Sequence, residues 1–233
     1  MFSLDLHIHS KYSIDSIMEP RTILKTAERI GLDAIAVTDH NTIVGGVKTL
    51  RLNEKHSIMV IVGAEIATNI GDIIGLFLNE EIKSRSILDV IDEIRSQAGL
   101  ILIPHPFKGH KMRDIQSLIS RIDLLEGCNS RHSISSEQIT LLKTMNKPLV
   151  AGSDAHFPQE IGLCQNKLNR QITCLDEIRK ELLSESFILK GNNGFAYYEP
   201  CSQIIKSIKS RNVKMFGWAF MNLIRSQIYD HNE

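Results

Sequence analysis

Short runs of aliphatic and β-branched residues alternate with amphipathic stretches over residues 3–152, and this alternation restricts the fold most strongly. We predict strands at 3–8, 33–38, 58–64, 72–78, 100–104, 123–127 and 148–152. Helices are predicted at 20–30, 86–98, 111–121 and 135–146, where apolar residues recur every three or four positions. Nearly continuous Ile, Leu and Val in the strands is typical of a parallel sheet covered on both faces. The pattern favours a parallel α/β barrel over a doubly wound sheet.

The pattern changes after residue 152. One more helix is predicted at 175–184, followed by a tail from residue 200 that is apolar nearly all round between Met215 and Ile224. We expect a barrel domain at 1–195 and a C-terminal helical extension at 196–233. This extension is expected to pack on the barrel or to form a subunit interface, which would make a homo-oligomer.

Charge and hydropathy restrict the partners. Lys and Arg balance Asp and Glu at 27 each, so no net field attracts long nucleic acid or an anionic membrane. The first residues are not basic and then apolar as in a signal peptide, and no uncharged apolar run reaches the about 18 residues of a spanning helix. We expect a cytoplasmic protein with no membrane partner, whose four cysteines are reduced thiols.

Imidazoles and carboxylates recur at the carboxyl ends of the predicted strands. They are His7 and His9, Asp39 and His40, Glu65, His105, and Asp154 and His156. Parallel barrels place their chemistry at this end, and burying such groups without a metal or partner costs several kcal/mol. The sequence therefore predicts a metal site.

The ligand set combines nitrogen and carboxylate oxygen without an obvious thiolate, which suits Zn²⁺, Mn²⁺ or Fe²⁺. More candidates are present than one ion can bind, so we expect two or three divalent ions that share bridging carboxylates. Such a site can supply a metal-bound hydroxide and clamp the oxygens of a phosphoryl group. Asp39 adjoins His40 and is expected either to orient a histidine through its second ring nitrogen or to cap the strand end.

Five short motifs, taken in order, resemble those of the PHP (polymerase and histidinol phosphatase) domain family. They are residues 5–10 (DLHIHS), 38–40 (TDH), 63–65 (GAE), 105–106 (HP) and 153–156 (SDAH). The resemblance covers about residues 3–195 and implies a distorted (βα)₇ TIM-like barrel, here with the C-terminal helical tail.

The resemblance also implies a ligand set. A first ion would be bound by His7, His9, Glu65 and Asp154, a second by Asp15, His40 and His156, and a third by Glu65 and His105 with Asp72. Asp72 departs from the family pattern, which commonly has a histidine there, so the third site is expected to be weaker or empty.

The implied activity is that of a metal-dependent phosphoric ester hydrolase acting on a small phosphorylated metabolite or short nucleotide. Asp154 and His156 are the expected catalytic proton carriers. Lys108 and Arg131, on loops after the fifth and sixth strands, are expected to bind substrate phosphate because both carry fixed charge.

Several alternatives remain open. They are histidinol-phosphatase proper, a nuclease or nucleotide phosphatase, a non-catalytic metal-bound scaffold, and amidohydrolase-like chemistry, although the fourth predicted strand lacks the lysine common in amidohydrolases. His110 and His132 either line the pocket or are exposed loop residues. No role is assigned to His56 or His231.

Overall fold

The computed structural model describes residues 1–54, 57–184 and 187–230, so His56 and His231 lie outside the described residues. In chain order the elements are β1 (Phe2–Ile8), α1 (Pro20–Ile30), β2 (Ala34–Val37), α2 (Val44–Leu52), β3 (Met59–Thr68), β4 (Gly71–Leu76), α3 (Ile87–Ser96), β5 (Leu100–Ile103), α4 (Met112–Leu118), a 3₁₀ turn (Ile119–Arg121), β6 (Leu124–Asn129), α5 (Ser136–Lys143), β7 (Leu149–Gly152), β8 (Cys164–Leu168), α6 (Leu175–Leu183), β9 (Ile188–Gly191), α7 (Tyr198–Lys209) and α8 (Val213–Asp230).

The strands of the described residues form a nine-stranded sheet in the order β7-β6-β5-β4-β3-β2-β1-β8-β9. β1, β2 and β3 are parallel to one another, as are β5, β6 and β7. Within this sheet, β1 and β7 are the two ends of the stretch from β1 to β7. They meet where Ile8 of β1 bridges Ala155, just after β7. The sheet therefore curls into a nearly closed, distorted barrel, which confirms the predicted fold class.

The prediction of uniformly parallel strands separated by helices was wrong in two places. β4 is antiparallel to both β3 and β5, and it follows β3 through the short turn at Asn69 and Ile70 without a helix. Conversely, α2 lies between β2 and β3 and was not predicted, because Gly45 and Gly46 in its first turn lower its helix propensity.

β8 and β9 were also missed. Both carry polar residues where the earlier strands are aliphatic. β8 is antiparallel to β1, and β9 pairs antiparallel with β8 at the edge of the sheet. The buried Asn166 of β8 explains one such residue, since its amide pairs with the backbone N–H and carbonyl of Ala151.

One apolar cluster draws residues from every strand from β1 to β7, with Ile178 and Leu182 of α6, and so fills the barrel interior. α1 shows how the flanking helices are delimited. It begins at Pro20 in the favoured first position and ends at Gly31, whose φ of 75° suits a glycine in a left-handed cap.

The last two helices lie at the strand-end mouth of the barrel. α7 contributes Glu199, Ser202, Gln203 and Lys206 to the cavity at that mouth. α8 packs along α7 and leaves Trp218 more than half exposed. No helix of the described residues combines the length and hydropathy needed to cross a bilayer. The domain division at residue 195 and the subunit interface stay predictions.

Candidate metal centre

The carboxyl ends of the strands surround a cavity of about 220 Å³. The structure brings all nine predicted metal ligands together there. Seven line the cavity, namely Asp15, His40, Glu65, Asp72, His105, Asp154 and His156. His7 and His9 are fully buried and contact Glu65 and Asp154.

His7, His9, Glu65 and Asp154 form the first ligand group. The two Nε2 atoms lie 3.1 Å apart, and Glu65 Oε2 lies 3.5 Å from His7 Nε2 and 3.4 Å from His9 Nε2. Asp154 Oδ1 lies 3.6 and 3.4 Å from the same two nitrogens. Donors about 2.0–2.2 Å from a tetrahedral ion stand about 3.3–3.6 Å from one another. The spacing of this group fits a divalent cation.

Asp15, His40 and His156 form the second ligand group, with His9 beside them. Asp15 Oδ2 lies 3.0 Å from His40 Nε2, and its Oδ1 lies 3.2 Å from His156 Nε2. One ligand atom from each of the four residues fits within 4.8 Å of the others. Glu65 Oε2 is also 3.0 Å from His40 Nδ1, so this carboxylate lies between the first and second groups.

Glu65, Asp72 and His105 form the third ligand group, with ligand atoms within 4.8 Å of one another. His105 Nε2 lies 2.9 Å from Glu65 Oε1, the oxygen not used by the other groups. Burial and the charge of Glu65 raise the pKa of Asp72, so a nearby cation would favour its ionised form. The aspartate that departs from the family pattern thus still places an oxygen donor here.

Outer hydrogen bonds fix which ring nitrogen faces the centre. His7 Nδ1 lies 3.0 Å from Glu126 Oε1, and His156 Nδ1 lies 2.9 Å from the carbonyl oxygen of Asp154. Since both partners are acceptors, each Nδ1 carries the proton and each Nε2 presents a lone pair to the centre. Metal-binding histidines in proteins are usually oriented in this way.

Two buried carboxylate oxygens test whether the residues fit metal ions. Asp15 Oδ1 and Glu65 Oε2 make no hydrogen bond within the described residues, although ring nitrogens lie 3.2 and 3.0 Å away. Buried oxygens without a hydrogen bond are costly. Buried oxygens of this kind are expected at a metal site, where the lone pairs of several ligands point toward one ion. The donor set therefore fits divalent cations.

The pKa values show how strongly the groups interact. Burial opposes the protonated form of His7, but the carboxylates of Asp154, Glu126 and Glu65 outweigh it and raise the pKa of His7 well above the ordinary value. Burial likewise opposes the ionised form of Glu65, yet the neighbouring histidines hold its pKa well below the usual range. His9 differs, because burial and the charge of His156 lower its pKa to about 3. Protons therefore compete with metal for some of these ligands.

Glu126 is a functional residue that sequence reasoning missed. It is fully buried on β6, where Oε1 meets His7 Nδ1 while Oε2 accepts from the backbone N–H of His105 at 2.7 Å and from Asn129 Nδ2 at 2.8 Å. The bond to His105 N–H holds a strained backbone, since φ of His105 is 29°. The available signal was an acidic residue inside an aliphatic strand.

Asp39 does not orient a histidine by a hydrogen bond. Its buried carboxylate accepts from the backbone N–H and hydroxyl of Ser10, at 2.6 and 2.7 Å. It therefore holds the chain directly after His9, and the expected contact to a ring nitrogen was wrong because Ser10 occupies both oxygens. Burial raises the pKa of Asp39 to about 6 against these hydrogen bonds.

The two predicted phosphate-binding cations both line the cavity, but each already has partners. Arg131 is bidentate to Glu160, with Nε–Oε1 and Nη2–Oε2 distances of 2.7 and 2.8 Å. Lys108 Nζ lies 2.8 Å from Glu199 Oε1 and 2.7 Å from His132 Nε2. Their contact with substrate stays a prediction.

Three further residues lie near the centre, and Glu160 among them was not anticipated. Fully buried Glu160 accepts from the backbone N–H of His156 at 2.9 Å, so it positions that ligand as well as Arg131. His132 lines the cavity, whereas the ring of His110 lies against Gly71 and is buried enough to lower its pKa to about 4. No spacing in the sequence pointed to Glu160.

Comparison with known proteins identifies the family. The model for the PHP domain matches residues 5–193. An uncharacterized protein of Methanocaldococcus jannaschii is 32% identical over 171 residues, which are 68% of this chain and 67% of that protein. Another uncharacterized protein of the same organism is 48% identical over 114 residues, 44% of this chain and 67% of that protein.

A solved structure agrees. A two-domain protein of Bacteroides vulgatus, described as containing a predicted PHP-like metal-dependent phosphoesterase, superposes with a TM-score of 0.71 at 22% identity. The match covers 82% of this chain and 65% of that one, so this chain spans about two thirds of that protein. With the family match and the strand-end ligands in agreement, this chain belongs to the PHP domain family.

Proposed function

We propose that the protein is a metal-dependent phosphoesterase that hydrolyses a small phosphorylated metabolite or short nucleotide with two or three divalent ions, Zn²⁺, Mn²⁺ or Fe²⁺. The observation that carries the proposal is the position of Glu65, which belongs to the first and third ligand groups and lies 3.0 Å from His40 of the second. Adjacent divalent ions supply a hydroxide near neutral pH and neutralise phosphoryl oxygens. The similarity to the Bacteroides vulgatus protein, described as containing a predicted PHP-like metal-dependent phosphoesterase, supports the same chemistry.

The protein's own groups divide the remaining work. Asp154 points Oδ1 at His7 and His9, while its Oδ2 lies 3.8 Å from His132 Nε2 on the cavity wall. His7 and His9 hold its pKa well below the usual range against the effect of burial, so the carboxylate is ionised. Its position on the cavity wall, and not its basicity, makes Oδ2 the proposed proton acceptor. His156 is the second proposed proton carrier, although both of its ring nitrogens already have partners.

A second cavity lies beside the one at the centre. The central cavity of about 220 Å³ has room for a phosphoryl group, and the neighbouring cavity of about 320 Å³, which shares four lining residues with it, offers room for the leaving group. Lys206 of α7 lines the cavity wall and makes no ion pair with any of the described residues. Lys206 therefore joins Lys108 and Arg131 as a proposed contact for substrate oxygens.

The test supplies the purified protein and Mn²⁺ with sugar phosphates, histidinol phosphate, mononucleotides and dinucleotides, and measures phosphate released from the monoesters and mononucleotides formed from the dinucleotides. We expect turnover of at least one monoester or short nucleotide, and its loss in excess chelator. Asp154→Asn should lose the activity while keeping the fold, whereas Asp176→Asn, at an exposed position on α6, should match the wild type.

Each outcome distinguishes the alternatives. Preference for histidinol phosphate would identify histidinol-phosphatase proper. A metal-loaded protein that neither releases phosphate from any monoester nor cleaves any dinucleotide would refute the proposal and favour the non-catalytic scaffold. Release that persists in chelator would refute the metal-dependent mechanism.

A further inference from the structure

The segment between β1 and α1 builds the second ligand group without regular secondary structure. It carries Asp15, and its buried Ser13 lies between two ligands. Ser13 Oγ is 2.9 Å from His9 Nδ1 and accepts from the backbone N–H of His40 at 2.8 Å. The position of this segment therefore determines the geometry of two ligands besides Asp15.

Ser16 makes a similar connection. Its buried hydroxyl lies 2.9 Å from the carbonyl oxygen of His9 and 3.0 Å from that of His156. The segment therefore contacts every residue of the second group. Its own backbone hydrogen bonds are few: Lys11 N–H donates to Met18 O, and Ser13 N–H donates to Ser10 O.

One lysine side chain from α7 donates to three carbonyl oxygens of this segment. Lys209 Nζ donates to the carbonyl oxygens of Lys11, Ser13 and Ser16, at 2.9, 2.6 and 2.7 Å. A lysine ammonium has three N–H donors, so all three are used on this segment. Lys209 ends α7, beyond residue 193 where the family match stops.

We propose that Lys209 is a positioning residue for the second ligand group. Through Lys209, α7 holds the segment of residues 11–18 that carries Asp15. This inference rests on the metal centre of the proposed function. Hydrogen bonds from a charged donor to carbonyls are among the stronger ones in proteins, and three of them converge on a short segment. Lys209 touches neither a ligand atom nor the cavity's proposed substrate contacts, so it acts through Ser13 and Ser16.

The test measures Mn²⁺ binding to full-length variants from which metal has first been removed with a chelator. Titration calorimetry gives the Mn²⁺ affinity of each class of sites. Lys209→Met keeps the aliphatic stem and removes the donors. It should weaken the second class of Mn²⁺ sites about 10- to 100-fold, as for other outer partners of ligands, and weaken the first class less, because His9 is the one first-group ligand that contacts this segment. Lys209→Arg should restore most of the affinity, and Lys214→Met, at an exposed position on α8, should have no effect.

Hydrogen exchange supplies a second measurement that needs neither metal nor substrate. In Lys209→Met, amides of residues 11–18 should exchange faster while those of β2 and β3 do not change. Faster exchange with unaltered Mn²⁺ affinity would overturn the proposal, because Lys209 would then be merely structural. Unaltered exchange would show that the three hydrogen bonds of Lys209 do not hold residues 11–18 in place, and would also overturn it. Both results are independent of phosphate release, so failure here is distinct from failure of the proposed activity.

Discussion

Glu126 offers the sharpest test of how the barrel positions its ligands. In Glu126→Gln the oxygen facing His7 Nδ1 can be retained, but an NH₂ group then replaces Oε2. That NH₂ would face two donors, the backbone N–H of His105 and the amide of Asn129. Flipping Asn129 gives no relief, because its Oδ1 already accepts from the N–H groups of Arg131 and His132, at 2.8 and 3.1 Å.

The magnitude follows from these contacts. Glu126 is 0% exposed, so solvent cannot replace the two lost bonds. Hydrogen bonds to a charged group contribute about 1.5–3 kcal/mol each, which gives about 3–6 kcal/mol before relaxation. We expect the free energy of unfolding of the metal-free protein to fall by about 3 kcal/mol, the lower end of that range.

The assay is urea unfolding of the metal-free protein, with Mn²⁺ titration of the same samples. The first class of sites should weaken about 10- to 100-fold, because His7 loses a charged partner. Glu80→Gln, at an exposed position, is the matched control. An unfolding free energy within about 0.5 kcal/mol of the wild type, with unchanged Mn²⁺ affinity, would refute the role assigned to Glu126.

Further substitutions and conditions test other parts of the centre. Asp154→Ala should remove the first class of Mn²⁺ sites, measured by metal content after dialysis, and retained stoichiometry would contradict the ligand assignment. Lys206→Ala should raise KM about tenfold with little change in kcat, whereas a loss confined to kcat would mean that Lys206 does not act in substrate binding. Gly152→Ala should destabilise the protein by about 1–3 kcal/mol in urea, since the added Cβ would overlap His7, and wild-type stability would show that the strands can separate there. The pKa of His7 is raised well above its ordinary value and that of His105 to about 9, both by carboxylates that outweigh burial, so metal must displace these protons. Mn²⁺ affinity should therefore rise between pH 7 and pH 9, with net proton release at pH 7 measured by calorimetry in buffers of different ionisation enthalpy; an affinity independent of pH would contradict this.

The strand-end ligands were predictable because each lies in or next to an aliphatic run that identifies a strand. His7 and His9 needed only the alternation of side chains along β1, and their Nε2 atoms lie 3.1 Å apart. Asp15 was accessible through the family resemblance alone, since it lies in an irregular segment whose path is set by Lys209, about 200 residues later.

The residues that sequence reasoning missed act through long-range contacts. Glu160 pairs with Arg131 across 29 positions, and Lys206 reaches the cavity from a helix whose placement no local pattern indicates. The antiparallel β4 was mispredicted because a buried strand shows the same aliphatic run in either direction. Local patterns identify ligands at strand ends, whereas tertiary packing decides what orients them.

Anomalous diffraction from crystals of the Mn²⁺-loaded protein would test the central claim most directly. The account predicts a peak among His7, His9, Glu65 and Asp154 and a second among Asp15, His40 and His156, with Glu65 beside both. Fully loaded crystals with no peak at the strand-end cavity, or with peaks only at surface carboxylates, would contradict it.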